Sequence, residues 1–150
     1  MVTQKDIQNF LAQKSLAVIG VSRNKNEFAN SAYRLLKSRG YTVYPVNPYT
    51  EHIEDDKCYP SIKSLPEPVD GALVMLPPQK TMQVLPEIAE AGIKNIWLQQ
   101  RTDSPQAIQF CKDRKINVVY GECIMMFSEP LDFPHRLHRW GKKVFGLLPK

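Results

Sequence analysis

Five short apolar runs, alternating with stretches of helical periodicity, constrain this chain more than any single residue does. They are Leu16–Ser22 (LAVIGVS), Tyr41–Val46 (YTVYPV), Gly71–Leu76 (GALVML), Lys94–Leu98 (KNIWL) and Ile116–Tyr120 (INVVY). Each has too few interleaved polar residues for an amphipathic helix and the right length for a strand covered on both faces. Between them, Ala32, Leu35 and Leu36 before Gly40, then Met82, Leu85, Ile88 and Ala89 before Gly92, recur at helical spacing, as do Ala107, Ile108 and Cys111 within a helix predicted from Asp103 to Arg114. Alternation with short connections predicts an α/β, doubly wound domain with a five-stranded, mainly parallel sheet.

The remaining segments fit around that plan. Ile7, Phe10 and Leu11 predict an N-terminal helix packed on the sheet. Arg23 to Asn30 reads as a polar loop, with Asn30 or Ser31 as the N-cap of the helix that follows. Asn47-Pro48 ends the second strand, because proline cannot continue a central ladder. Tyr49 to Pro68 is charged and proline-bearing, and predicts a surface excursion with at most one helical turn, near Ser61 to Leu65.

With 150 residues and 43% hydrophobic content, the chain is expected to form one full-cored domain with no room for a second, catalytic one. No run approaches the roughly 18 apolar residues of a membrane helix, and the opening MVTQKDIQNFLAQK is too polar for a secretory signal. A cytoplasmic protein that does not enter membranes is expected. Cys58, Cys111 and Cys123 are an odd number of cysteines with no CxxC pair, which suits reduced thiols and neither a disulfide framework nor a zinc site. Residues 134–150 carry five of the 20 basic side chains and none of the 15 acidic ones, so the whole net charge of +5 sits in the tail. Such a tail either meets an anionic partner or is simply a solvated surface.

In a doubly wound sheet, ligands bind beyond the carboxyl ends of the strands, where the strand order reverses. That brings together the turns holding Gly20-Val21-Ser22-Arg23, Asn47-Pro48, Pro77-Pro78 and Gln99-Gln100-Arg101. These turns carry glycine, hydroxyl, amide, proline and arginine groups, without carboxylate, histidine or cysteine. They suit holding a phosphate-bearing molecule better than breaking a bond. Gly20 lets the backbone turn and approach a ligand closely, and the helix after it directs free N–H groups at phosphate. An NAD site wants Gly-x-Gly-x-x-Gly and an acid ending the second strand. Here Ser22 replaces the second glycine, a third is absent, and Asn47 replaces the acid. No Gly-Lys-Ser/Thr follows Gly20, so a P-loop is absent too.

The run VIGVSRNKNEFANSAYRLLKSRGYTVYPVNP, followed by LPEPVDGALVMLPP and NIWLQ, resembles the small stand-alone coenzyme A-binding proteins. These are Rossmann-like domains similar to the CoA-binding domain of the succinyl-CoA synthetase alpha subunit. The likeness spans Ser15 to Cys123 and implies a CoA site in the crevice. Gly20, Val21 and Ser22 would then approach the diphosphate, with Ser31 and Arg34 neutralising it. Asn47 and Pro48 would border the adenine-ribose end, and Leu76, Pro77 and Gln99 would line the pantetheine arm. Plainer roles stand beside these: Ser31 as a helix cap, Arg34 as a solvated helix residue, Asn47 and Pro48 as a turn. Arg23 and Lys25 would either meet the 3′-phosphate or stay in a solvated loop. The resemblance puts Cys123 near the ligand thiol, where it would form a mixed disulfide under oxidising conditions or serve only as a small buried cysteine.

The expected layout is a CoA-binding domain over residues 1–124, including the N-terminal helix, and a basic extension over residues 125–150 packed on it. Phe127, Leu131 and Phe133 would cover the sheet, and His135, His138 and Trp140 would pack or form an oligomer contact. Arg136, Arg139, Lys142 and Lys143 belong to no nucleic-acid module. The expected function is binding of CoA or acyl-CoA as a carrier, sensor or regulatory module. The chemistry of succinyl-CoA synthetase needs a phosphorylated histidine from a second domain, and the histidines here lie outside the predicted crevice. The alternatives are an NAD(P)-dependent oxidoreductase or other nucleotide-dependent enzyme, and a scaffold that contacts protein or nucleic acid through its tail.

Overall fold

A computed structural model describes residues 2–127 of the chain. The five apolar runs form one sheet from β1 (Ser15–Ile19), β2 (Thr42–Val46), β5 (Gly71–Val74), β6 (Asn95–Leu98) and β7 (Asn117–Val119), in the order β2-β1-β5-β6-β7. Every pairing in it is parallel. Ile19 pairs with Val46 on one side and Val74 on the other, and Val74 pairs with Leu98. The central strands therefore end level, and the turns that leave them stand in a row.

The strands alternate between two cores, which is why their sequences are apolar throughout. Leu16, Val18, Leu73, Trp97 and Val119 face one core, closed by α1 (Gln4–Leu11) and α2 (Phe28–Ser38). Ala17, Ile19, Ala72, Val74, Ile96 and Leu98 face the other, closed by α3 (Pro78–Glu90) and α4 (Pro105–Asp113). Each fully buried Leu or Ile contributes about 1.5–3 kcal/mol. Trp97 anchors the first core, edge-on to Phe10 at 5.4 Å and 5.8 Å from the ring of Phe127. Phe127 is thus buried, as expected of it. Leu131, Phe133, the two tail histidines, Trp140 and the tail's basic residues Arg136, Arg139, Lys142 and Lys143 lie outside the described residues.

Three local expectations need correction. The helix after β1 begins at Phe28 with Glu27 as its N-cap residue, so Asn30 and Ser31 are inside it and cap nothing. The reason is that the Asn30 side chain is drawn to the backbone of Ser22, away from its own helix terminus. The third strand stops at Val74, leaving Met75 and Leu76 in the turn. The excursion over residues 49–68 holds the expected single turn at Ile62–Ser64, but also a hairpin of β3 (His52–Ile53) and β4 (Asp56–Lys57). Its turn places Glu54 and Asp55 at φ +53° and +65°, the left-handed pair of a tight two-residue hairpin. Without the Asn-Gly or Asp-Gly that usually marks such a turn, the sequence hides it. Among the described residues no helix is long and apolar enough to cross a membrane.

Candidate functional site

From β1 the chain winds outward to β2, and from β5 it winds the other way to β6 and β7. The order reverses between β1 and β5, which makes their carboxyl ends the switch point. Helices α2 and α3 leave from there on opposite faces of the sheet. The N-cap residues of these two, Glu27 and Pro77, make no side-chain cap. The other two helices are closed. Thr3 and Asp6 form a capping box on α1, and the Ser104 hydroxyl accepts from Ala107 N–H on α4. An uncapped helix start offers free N–H donors and the positive end of the helix dipole to an anion.

The loop between β1 and α2 is fixed from below. Gly20 has φ +115°, and a Cβ there would lie 2.3 Å from the carbonyl oxygen of Met75. The glycine is therefore required by close packing of this turn on the β5 turn, a tighter constraint than room for a ligand. Val21 is buried. Its carbonyl accepts from Asn47 Nδ2 at 2.9 Å, while Asn47 Oδ1 accepts from Tyr49 N–H at 2.8 Å. Asn47 thus ties the β2 end to the β1 end, and Pro48 beside it is exposed. The Ser22 N–H donates to Asn30 Oδ1 at 3.0 Å, and Asn30 Nδ2 donates back to the Ser22 carbonyl at 2.7 Å. The Ser22 hydroxyl accepts from Asn24 N–H at 3.0 Å. Arg23 and Lys25 are exposed on this loop. Ser31 and Arg34 touch through Ser31 Oγ, which accepts from Arg34 Nη2 at 3.3 Å; Arg34 also donates to the Lys25 carbonyl and pairs with Glu54 at 2.6 Å.

On the other side of the crevice, Leu76 is half-buried and Pro77 exposed. The Leu76 carbonyl accepts from the buried Thr81 hydroxyl at 3.1 Å, which fixes the entry of α3. Gln99 is buried, and its Oε1 accepts from Ile124 N–H at 3.0 Å. That bond brings the segment carrying Cys123 back to the end of β6. Cys123 is partly exposed, whereas Cys58 and Cys111 are buried. Burial pushes the Cys111 thiol up to about 11 and the Glu122 carboxyl above its usual range.

A family model for the CoA binding domain matches residues 14–129. The chain belongs to that family. Over 94 residues it is 38% identical to the ADP-forming acetate–CoA ligase II of Archaeoglobus fulgidus, a match covering 61% of this chain and 14% of the ligase. It is 34% identical over 88 residues to the alpha subunit of ADP-forming acetate–CoA ligase II from Pyrococcus furiosus, covering 58% of this chain and 19% of that subunit. The chain thus spans less than a fifth of either relative. Among solved structures, a conserved hypothetical protein from Pyrococcus furiosus matches with a TM-score of 0.72 at 35% identity, over 76% of this chain and 98% of that one. The resemblance read from the motifs and the five-stranded α/β fold are both borne out.

Within this CoA-binding domain, two features near the switch point have roles that the sequence reading missed. One is Asn30, fully buried and bonded to both the backbone N–H and the backbone carbonyl of Ser22. The other is the hairpin, which is held by Asn30, Tyr33, Arg34 and Lys37 through Glu54 and Asp56. A signal for it was present. Those four α2 residues fall at i, i+3, i+4 and i+7, a polar stripe on one face of a helix whose other face is core.

Proposed function

We propose that this domain binds coenzyme A, or an acyl-CoA, in the crevice between the ends of β1 and β5, and that it serves as a carrier, sensor or regulatory module without bond-breaking chemistry of its own. The observation that carries this is the pair of uncapped helix starts at the switch point of a CoA-binding domain. They supply fixed positive potential where a diphosphate would lie. In this reading Gly20, Val21 and Ser22 form the floor under the diphosphate, Ser31 and Arg34 stand beside it, and Arg23 meets the 3′-phosphate. Asn47 and Pro48 border the adenine-ribose end, and Leu76, Pro77, Gln99 and Cys123 line the way to the thiol. The ligase activity named for the relatives is theirs.

Calorimetric titration of the reduced protein with CoA, dephospho-CoA and NAD tests the proposal. Saturable CoA binding at a Kd of about 1 to 50 μM, roughly −6 to −8 kcal/mol, with no NAD heat, supports it. NAD binding without CoA binding overturns it and restores the oxidoreductase alternative.

A further inference from the structure

Glu54 closes a ring of hydrogen bonds around the loop between β1 and α2. Asn30 holds one end of that loop through both polar groups of Ser22, and Arg34 Nη2 holds the other by donating to the Lys25 carbonyl at 3.1 Å. The two holders are joined by one carboxylate oxygen: Glu54 Oε1 accepts from Asn30 Nδ2 at 3.0 Å and from Arg34 Nη1 at 2.6 Å. The Glu54 side chain is only 10% exposed although it sits at a hairpin tip, while the Arg34 side chain is 46% exposed. An acid placed this near an anion site would by charge alone oppose the ligand. Its contacts give the opposite role. Both Asn30 amide hydrogens and three Arg34 contacts are committed to the loop, its helix and the hairpin, and a guanidinium carries five N–H donors in a rigid fork, so donors remain for an incoming phosphate.

The geometry points to Glu54 as a positioning residue for the CoA site: it orients Arg34 and Asn30 so that the loop over residues 22–27 is formed before the ligand arrives. This rests on the CoA reading above. Preorganisation of this kind raises affinity by removing the cost of ordering the loop on binding.

The test uses the full chain with Glu54→Gln, which keeps shape and removes charge, and with Glu54→Ala. Both are titrated with CoA, and amide hydrogen exchange is followed over residues 22–27 without ligand. Glu54→Gln is expected to weaken CoA binding by about tenfold, the scale of one charge-assisted hydrogen bond, and to speed exchange in the loop while the strands keep their protection. Added to Arg34→Lys, it should cost little more, because the two act as one unit. Unchanged or tighter CoA binding in Glu54→Gln overturns the inference and makes the carboxylate a bystander or a competitor. Weaker binding with unaltered loop exchange overturns it as well. If the unmodified protein takes up no CoA while the loop still loosens in Glu54→Gln, the CoA reading itself has failed, and this role falls with it.

Discussion

The four α-helices among the described residues divide into two pairs, and the division follows the sheet topology. Helices α1 and α4 begin away from the point where the strand order reverses and are closed by their own side chains, Thr3 with Asp6 and Ser104. Helices α2 and α3 begin at that point and are left open, at Glu27 and Pro77. An N-cap is worth about 1 kcal/mol, so leaving two of them out forgoes stability where the fold is otherwise well capped. The stability is forgone only where an anion could replace the cap. The open pair also differ from each other: α2 has the β3–β4 hairpin fastened along it by four side chains, whereas at the start of α3 the Thr81 hydroxyl donates to the Leu76 carbonyl of the turn just before it.

The comparison breaks most completely at Gly20, which holds the two open ends side by side. Gly20→Ala puts a methyl 2.3 Å from a backbone oxygen at φ +115°. Neither partner can yield by rotamer change, and a loss of about 3 kcal/mol or more is expected, measured as a shift in the urea midpoint. CoA binding should vanish with it, since the β1 and β5 turns can no longer pack. Next is Asn30→Ala. It removes three hydrogen bonds from a fully buried side chain and leaves the Ser22 peptide unpaired. The expected cost is about 2–3 kcal/mol, with CoA affinity lowered as well. An Asn30→Ala protein that binds CoA normally would show that the loop need not be preformed.

Cap exchange tests the division directly. Thr3→Ala and Ser104→Ala should each lower stability by about 1 kcal/mol and leave the Kd for CoA within about twofold. Glu27→Ser should do the reverse, gaining up to about 1 kcal/mol while weakening CoA binding, because the new hydroxyl takes an N–H that the ligand would use. If Ser104→Ala harms CoA binding as much as Glu27→Ser does, the helix starts are equivalent and topology does not mark the site.

Most of the scaffold was legible because burial on both faces leaves so plain a trace: LAVI, GALV and IWL are uninterrupted apolar runs, and all three lie in strands. Gly20, Asn47 and Gln99 do stand at strand ends. What those side chains do was less legible, since it depends on contacts far along the chain. Asn30 looked like a cap because asparagine near a helix start usually is one, and only the position of Ser22, eight residues back, draws it inward. Gln99 stands at the end of β6 as expected, but that its side-chain Oε1 accepts from Ile124 N–H, 25 residues on, could not be read from its neighbours in sequence. The hairpin was hidden because its turn uses Glu54-Asp55, and its partners become visible only when the polar stripe of α2 is read as a docking face.

The smallest expected effect sharpens the difference between the two open helix starts, because only α2 has a hairpin to lose. Burial alone would raise the Asp56 carboxyl, but bonds from Lys37 Nζ at 2.7 Å and Tyr33 Oη at 2.5 Å outweigh it and hold the group below its ordinary 3.8. A depressed folded-state value means the unfolded chain takes up the proton first. The contribution of Asp56 is therefore complete above the unfolded value and is lost as pH falls through the folded one. Tyr33 behaves in the opposite sense. Burial first, then its bond to Asp56, raise it above 10.0, so its contribution is complete below 10.0 and is lost only as pH climbs beyond that. Hydrogen exchange over residues 51–58 should thus be flat relative to the strands from about pH 5 to 9 and accelerate below about pH 4. With Lys37 half-exposed, the acid limb should amount to less than about 1 kcal/mol. Asp56→Asn should abolish that limb and leave exchange near the start of α3 unchanged. An acid limb that survives in Asp56→Asn would mean that loss of the Tyr33–Asp56–Lys37 cluster is not what loosens the hairpin in acid.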